Sequence, residues 1–468
     1  MTNRPASRRS VLAAALAAAA AAGTTATAAA GTTAPAGASS DPNSPRRGPN
    51  QPRKDDTIEY QGWSTRKDWR GGSHEGTGAA DDARAGIVIG KPVGEFEYAD
   101  PHTGKTATWE YARWTSPRHD VRTPAGEAIA SWNAHTPAGT WIRVELRGRY
   151  SDGTDSPWYT LGIWTAGDGK DVPRRTSVAD QSDGKSSVSV DTFVIDDLDS
   201  GLRLSSYELR VTLYRAPGGS ATPTVRRVGA MSSDVEDRFE VPASEPGEGA
   251  GKELKVPRYS QNIHEGEYPE YDGGGEAWCS PTSAQMIIEY WGRKPTPEDL
   301  EWVNPDYQDP QVCHAARFTY DYQYEGCGNW PFNTAYAATY EDMQAVVTRC
   351  GSLLDAERLV AAGIPVITSQ SFIESELDGA GYGTAGHLMT VIGFTEDGDV
   401  VANDPASPDN PSVRHVYKRR QFENIWLRTK RKDEKGEVKG ATGGVCYVFF
   451  PAEPAPTQRR VLQEMGIM

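Results

Sequence analysis

Two hydrophobic rhythms divide this chain. Between residues 55 and 240 apolar side chains alternate with polar ones in short runs broken by Gly, Pro and Asp. Ile87–Ile89, Gly94–Tyr98, Thr108–Trp114, Thr140–Leu146, Trp158–Trp164, Ser187–Ile195 and Ser206–Tyr214 each read as a strand, since a period of two puts one face on a core. In Thr140–Leu146, for example, Trp141 and Arg143 face away from Ile142 and Val144. Many short strands with turn signals between them predict an all-β antiparallel sandwich, jelly-roll-like in type.

From residue 254 to 468 the rhythm is mixed. Ala284, Ile287, Ile288 and Trp291 recur at helical spacing after Cys279, and Gly292 supplies the stop. Further helices are predicted at Thr296–Val303, Tyr340–Cys350 and Ala356–Ala362. Strands are predicted at Pro365–Ser369, His387–Phe394, Asp399–Ala402 and Val445–Phe450. Leading helices followed by a strand-rich half describe an α+β domain. The Pro/Gly/Glu-rich segment Val241–Glu253 between the two regions reads as a linker, which predicts two separately folding units.

The N-terminus changes the picture of compartment. Arg8-Arg9 precedes an alanine run to about Ala22, and Ala-x-Ala sites follow at Ala26–Ala28 and Ala28–Ala30. Residues 1–30 therefore read as a twin-arginine signal peptide, and the Pro/Gly/Ser-rich residues 31–54 as a disordered linker. The expectation is a secreted bacterial protein with no membrane segment in its mature form. A net charge of −15 excludes a nucleic-acid partner, because phosphate binding needs a basic face. The six tryptophans Trp109, Trp114, Trp132, Trp141, Trp158 and Trp164 offer a stacking platform for cell-wall glycan, against the commoner reading as core.

All five cysteines lie in the second region: Cys279, Cys313, Cys327, Cys350 and Cys446. An odd number in an oxidising compartment leaves at least one thiol free. If that is Cys279, the others allow three pairings, among them Cys313–Cys327 with Cys350–Cys446. Neither CxxC nor HxxxH spacing occurs, so no metal is expected, and nothing calls for a cofactor.

Candidate chemistry converges on Cys279. It sits where a helix begins, and unpaired N–H groups with the positive end of the helix dipole favour a nucleophilic sulfur there. His387 opens a strong strand, and the turn at Glu396–Asp399 folds the next strand back so that Asp404 lies beside it. Upstream, the amide of Gln261 can donate to an oxyanion. A thiol, an imidazole, a carboxylate that orients the ring and an oxyanion donor are the parts that acyl transfer through cysteine needs.

The order Gln–Cys–His–Asp resembles the papain-like cysteine peptidases of family thirty-nine, which include the bacteriocin-processing (double-glycine leader) peptidases and stand-alone secreted relatives. The likeness is carried by VPRYSQ, WCSPTSAQMIIEYWG, GHLMTVIGF and NDP, within about Val256–Phe450. It implies a papain-like fold, a peptide or protein substrate, Cys279 as nucleophile, His387 and Asp404 completing a triad, and Gln261 in the oxyanion hole. Ser280 stands where such motifs often carry glycine, and the membrane and ATPase domains of the transporters are missing. The Tyr-rich insertion at 316–338 reads as a lid or specificity loop, or equally as a disulfide-tied surface loop. A wall-peptide amidase docked by the sandwich and an inactive binding protein are the competing functions.

Overall fold

The computed structural model describes residues 57–468, so the signal peptide and the first linker lie outside the described residues. The first region is a sandwich of two seven-stranded antiparallel sheets. Its strands are β1 (Ile58–Trp63), β2 (Ser73–Glu75), β3 (Thr77–Ala79), β4 (Ile87–Ile89), β5 (Gly94–Ala99), β6 (Thr106–Thr115) and β7 (His119–Ala125). These are followed by β8 (Glu127–His135), β9 (Thr140–Tyr150), β10 (Tyr159–Trp164), β11 (Ser186–Ser189), β12 (Thr192–Ile195), β13 (Leu204–Arg215) and β14 (Thr224–Ser233). A short helix, α1 (Arg66–Gly71), follows β1. One sheet runs β11-β12-β8-β14-β4-β3 with β1 beside β14; the other runs β10-β9-β13-β6-β2, with β5 on β6 and β7 on β13.

All seven predicted strand segments are extended, with one difference. Ser187–Ile195 is not a single strand but a hairpin, because the chain reverses at Val190-Asp191 between β11 and β12. Strands β1, β2, β3, β7, β8 and β14 were not foreseen. Central β8 and β14 are buried on both faces, which removes the alternation that marks a strand. Trp109, Trp114, Trp132, Trp141 and Trp164 are buried, and half-buried Trp158 lies under the guanidinium groups of Arg147 and Arg210. Their ring faces are occupied, so these six do not form an open stacking platform.

The second region is α+β, built on one six-stranded antiparallel sheet. Its elements are α2 (Cys279–Tyr290), α3 (Pro310–Thr319), α4 (Trp330–Ala337), β15 (Met343–Arg349), α5 (Leu353–Ala361), β16 (Val366–Phe372) and β17 (Thr384–Phe394). Then come β18 (Val400–Asn403), β19 (Arg414–Tyr417), α6 (Arg419–Leu427), the small hairpin β20 (Lys430–Lys432) and β21 (Val438–Gly440), β22 (Val445–Pro451) and α7 (Pro456–Glu464). The large sheet is ordered β15-β22-β16-β17-β18-β19. Two helix predictions fail. Tyr340–Cys350 contains β15, since Val346, Val347 and Thr348 are β-branched and pair along β22. Thr296–Val303 forms successive turns that never propagate beyond i→i+3 bonds, starting from Pro297.

The two regions share a core. Buried Trp132 and Trp164 of the sandwich close on Phe332 of α4, with ring centroids 6.1 and 5.4 Å apart. The Asn133 side chain donates to Ala345 O at 2.7 Å and accepts from Ala345 N at 3.3 Å, capping the edge strand β15 as another strand would. Arg349 reaches back to Glu127 and to Ser233, each at 2.6 Å. Segment 241–253 runs along the second region: Gly247 N donates to Glu357 at 2.6 Å, and Val241 N donates to Asn424 at 3.0 Å. Among the described residues no helix is long and apolar enough to cross a membrane.

Such a shared core unfolds as one unit. Urea denaturation followed by tryptophan fluorescence and by circular dichroism should give one coincident transition, and two separated transitions would contradict the shared core. Asn133→Ala should lower stability by about 2–4 kcal/mol, because two buried backbone groups lose their partners at about 1–3 kcal/mol each.

Candidate active site

Helix α2 begins at Cys279, and Pro281 lies in its first turn, where a missing N–H costs nothing. Every residue from Cys279 to Ile288 is buried, which fixes the helix against the sheet. The Ser283 hydroxyl donates to Leu388 O at 3.3 Å, tying α2 to β17 beside the histidine. Ser280 also points inward, where its hydroxyl lies 3.0 Å from the Tyr447 hydroxyl. A side chain at that position is therefore absorbed by the core.

Strand β17 carries His387, and the antiparallel β17–β18 pair, with Thr390 opposite Asn403, returns the chain so that Asp404 meets it. His387 Nε2 and Asp404 Oδ1 are 2.8 Å apart, and both residues are buried. Cys279 lines the same cleft as this ring, and with Nε2 engaged by Asp404 the nitrogen left for the thiol is Nδ1. Burial alone would push the His387 ring below its ordinary value. The Asp404 carboxylate and Cys279 outweigh that and raise it to about 10. Burial would likewise raise Asp404, but the His387 ring and two tyrosine hydroxyls lower it to about 2.

Those tyrosines were not foreseen. Tyr417 and Tyr382 donate to Asp404 Oδ2 at 2.7 and 2.9 Å, and Ala406 N donates to Oδ1 at 3.0 Å. The Tyr382 ring also stands edge-on to His387, with centroids 5.5 Å apart. No local pattern marks a tyrosine hydroxyl as a carboxylate donor, so only the fold reveals them. Asn403, next to Asp404, turns away and donates to Pro257 O at 2.9 Å.

Gln261 is buried between the two halves of the site. Its backbone N–H donates to Pro405 O at 2.8 Å, and its Nε2 donates to Glu276 O at 2.7 Å, just ahead of Cys279. One Nε2 proton remains free for a further acceptor. Of the four residues singled out in the sequence, His387 pairs with Asp404 and shares a cleft with Cys279, while Gln261 ties the segment before Cys279 to the turn after Asp404.

With this geometry in view, the comparisons decide the family. Residues 59–233 match the Peptidase C39 N-terminal domain, and residues 253–434 match the Peptidase C39-like family. The chain belongs to the C39 peptidase family. No curated protein matches this C39-like peptidase. Among solved structures it resembles one described as a C39-like peptidase from Bacillus anthracis, at 19% identity over 44% of this chain and 99% of that one, with a TM-score of 0.27. A Paenibacillus cycloisomaltooligosaccharide glucanotransferase is similar at 8% identity over 84% of this chain and 46% of that one, with a TM-score of 0.17. The family assignment rests on the two domain models.

The remaining cysteines of the C39-like domain are all free thiols. Cys350 and Cys446 face each other with sulfurs 3.7 Å apart. The pairing of Cys313 with Cys327 is not formed. Cys327 donates to Ala316 O at 3.4 Å, while Cys313 lies 3.6 Å from His264 Nδ1 and 3.7 Å from Glu267 Oε2. The Nδ1–Oε2 separation in that cluster is 2.7 Å, a hydrogen bond. It is shorter than the roughly 3.3 Å kept by two ligands on one tetrahedral zinc, given bonds of about 2.0–2.1 Å.

The buried pair sets a pH window. His387, raised above its ordinary value, contributes stability that is full below about pH 6.5 and is lost as the pH rises through about 10. Asp404, lowered, contributes stability present above about pH 4 that is lost as the pH falls through about 2. Tyr417→Phe removes one donor to the carboxylate. It should cost about 1.5–3 kcal/mol and move the acid limb of stability upward in pH. Urea midpoints across pH check this, and an unmoved acid limb would contradict the role of Tyr417.

Proposed function

We propose that this C39-like protein is an extracellular cysteine peptidase that hydrolyses peptide or isopeptide bonds. The observation that carries the proposal is one line of contacts. A thiol at the first residue of a buried helix shares a cleft with an imidazole whose Nε2 faces a fully hydrogen-bonded, buried carboxylate. Export through the twin-arginine signal at residues 1–30 belongs to the same reading.

In this mechanism His387 already holds the thiol's proton as an imidazolium, and the Cys279 thiolate attacks the scissile carbonyl carbon. The oxyanion forms beside the backbone N–H of Cys279 at the helix N-terminus and the free Nε2 proton of Gln261. Collapse breaks the C–N bond as the His387 proton passes to the departing amine, leaving a thioester. Water then attacks the thioester with the now neutral His387 as base, and the Cys279 thiolate leaves with the imidazolium restored. Asp404 holds the ring throughout and stays ionised. Tyr382 and Tyr417 fix the carboxylate and so position the ring.

A fluorogenic peptide library incubated with the full chain tests the proposal. Cys279→Ala should abolish turnover, and His387→Ala should be nearly as severe. Gln261→Ala should lose roughly 10²–10³ in kcat. Asp404→Ala should cost less than either triad partner, because it orients the ring and transfers no proton. Circular dichroism establishes that each variant is folded. A folded Cys279→Ala protein with wild-type rates would overturn the assignment.

A further inference from the structure

The cleft that holds Cys279 and His387 does not belong to the C39-like domain alone. It has a volume of about 160 Å³, and one of its walls comes from the sandwich: Gly126, Glu127, the hairpin tip Ser189–Thr192, Val194 and Ser233–Val235. The rest of its lining includes Ala385–Leu388 and Ala441-Thr442, with Tyr324 and Trp330 of the insertion.

The hairpin tip is locally unreasonable. Ser189 pairs with Thr192, so Val190 and Asp191 form a two-residue turn. Such turns favour Asn-Gly or Gly, because they need a positive φ. Here a β-branched residue takes it: Val190 has φ = 56°. Strain of this kind persists where the surroundings hold it and clusters at binding sites. What holds it is Asp191, which accepts from Trp330 N at 2.9 Å, at the N-terminus of α4. The sandwich thus caps a helix of the C39-like domain and fixes Val190 in the cleft wall. Tyr324 lines the same cleft as Asp191 and Cys279, so the tip and the nucleophile share one neighbourhood.

The charged groups lining this cleft already have hydrogen-bond partners. Arg349 is engaged by Glu127 and Ser233 at 2.6 Å each, and Asp234 by Arg203 at 2.9 Å. Asp191 also accepts from the Thr192 hydroxyl at 2.9 Å. A charged substrate side chain would lose its water here and meet charged groups whose polar atoms are already engaged. The rest of the lining beside the nucleophile is largely apolar: Val190, Val194, Val235, Leu388, Ala441 and Trp330.

We infer that the N-terminal sandwich is part of the substrate site, and that Val190 is a specificity-determining residue selecting an uncharged aliphatic side chain next to the scissile carbonyl. The inference rests on the peptidase reading above and adds to it a role for the first domain.

The test uses the full chain and needs no turnover. Peptidyl acyloxymethyl ketones carrying Ala, Val, Leu, Phe, Lys or Asp next to the ketone react when the Cys279 sulfur displaces the carboxylate leaving group from the methylene carbon. Mass spectrometry gives the rate of labelling. The wild type should prefer Ala and Val, with Lys and Asp slowest. Val190→Gly suits the positive φ, so melting temperature should hold or rise while the ratio of Leu and Phe to Ala rises about tenfold or more, the range one methylene-sized change produces. Unchanged ratios in a folded, labelled Val190→Gly protein would overturn the inference and leave the peptidase reading standing. If no peptide probe labels Cys279 faster than iodoacetamide, the peptidase reading falls and the inference with it.

Discussion

A carboxylate that is 1% exposed survives ionised only if each of its oxygens is met, and Asp404 is the point on which this site depends. His387, Ala406 N, Tyr382 and Tyr417 all donate to it. These donors come from β17, the turn after β18, the segment leading into β17, and β19. One side chain therefore fixes the register of three neighbouring strands. Removing a donor leaves charge without compensation, which explains why so much of the sheet is committed to a group that does not itself react. The histidine is the beneficiary. Its position, and the retention of a proton on a buried ring, follow from the carboxylate behind it.

The second constraint is that the nucleophile's helix is buried on a core that two domains build together. Phe332 of the insertion is enclosed by Trp132 and Trp164 of the sandwich. Asp191 binds the N-terminus of the same helix. The insertion is thus clamped between the sandwich and the helix that begins at Cys279, and the sandwich is a structural part of the cleft.

Much of this was legible in the sequence, for physical reasons. Half-buried strands show their period of two, so the sandwich was readable, and β16, β17, β18 and β22 stood out as short apolar runs. Cys279, His387, Asp404 and Gln261 stood out because each occupies a locally distinctive place: a helix start, a strand start, a strand end and a segment edge. What was hidden depends on long-range contact. Strands β8 and β14 lose their alternation because both faces are covered. Strand β15 has apolar residues that also fit a helix, and only its pairing with β22 decides. Tyr382, Tyr417 and Asp191 act through partners 13 to 139 positions away. The hairpin at Val190 was read as continuous strand because valine is the last residue expected in a left-handed turn.

The central claim is that Asp404 keeps a proton on the buried His387 ring that faces Cys279. Nuclear magnetic resonance of protein labelled with ¹⁵N in the imidazole rings tests it most directly. At pH 8 the account predicts that His387 still gives the signals of an imidazolium, and that they change to those of a neutral ring in Asp404→Asn. A wild-type His387 that titrates near its ordinary value of 6.5, unaffected by Asp404→Asn, would contradict it.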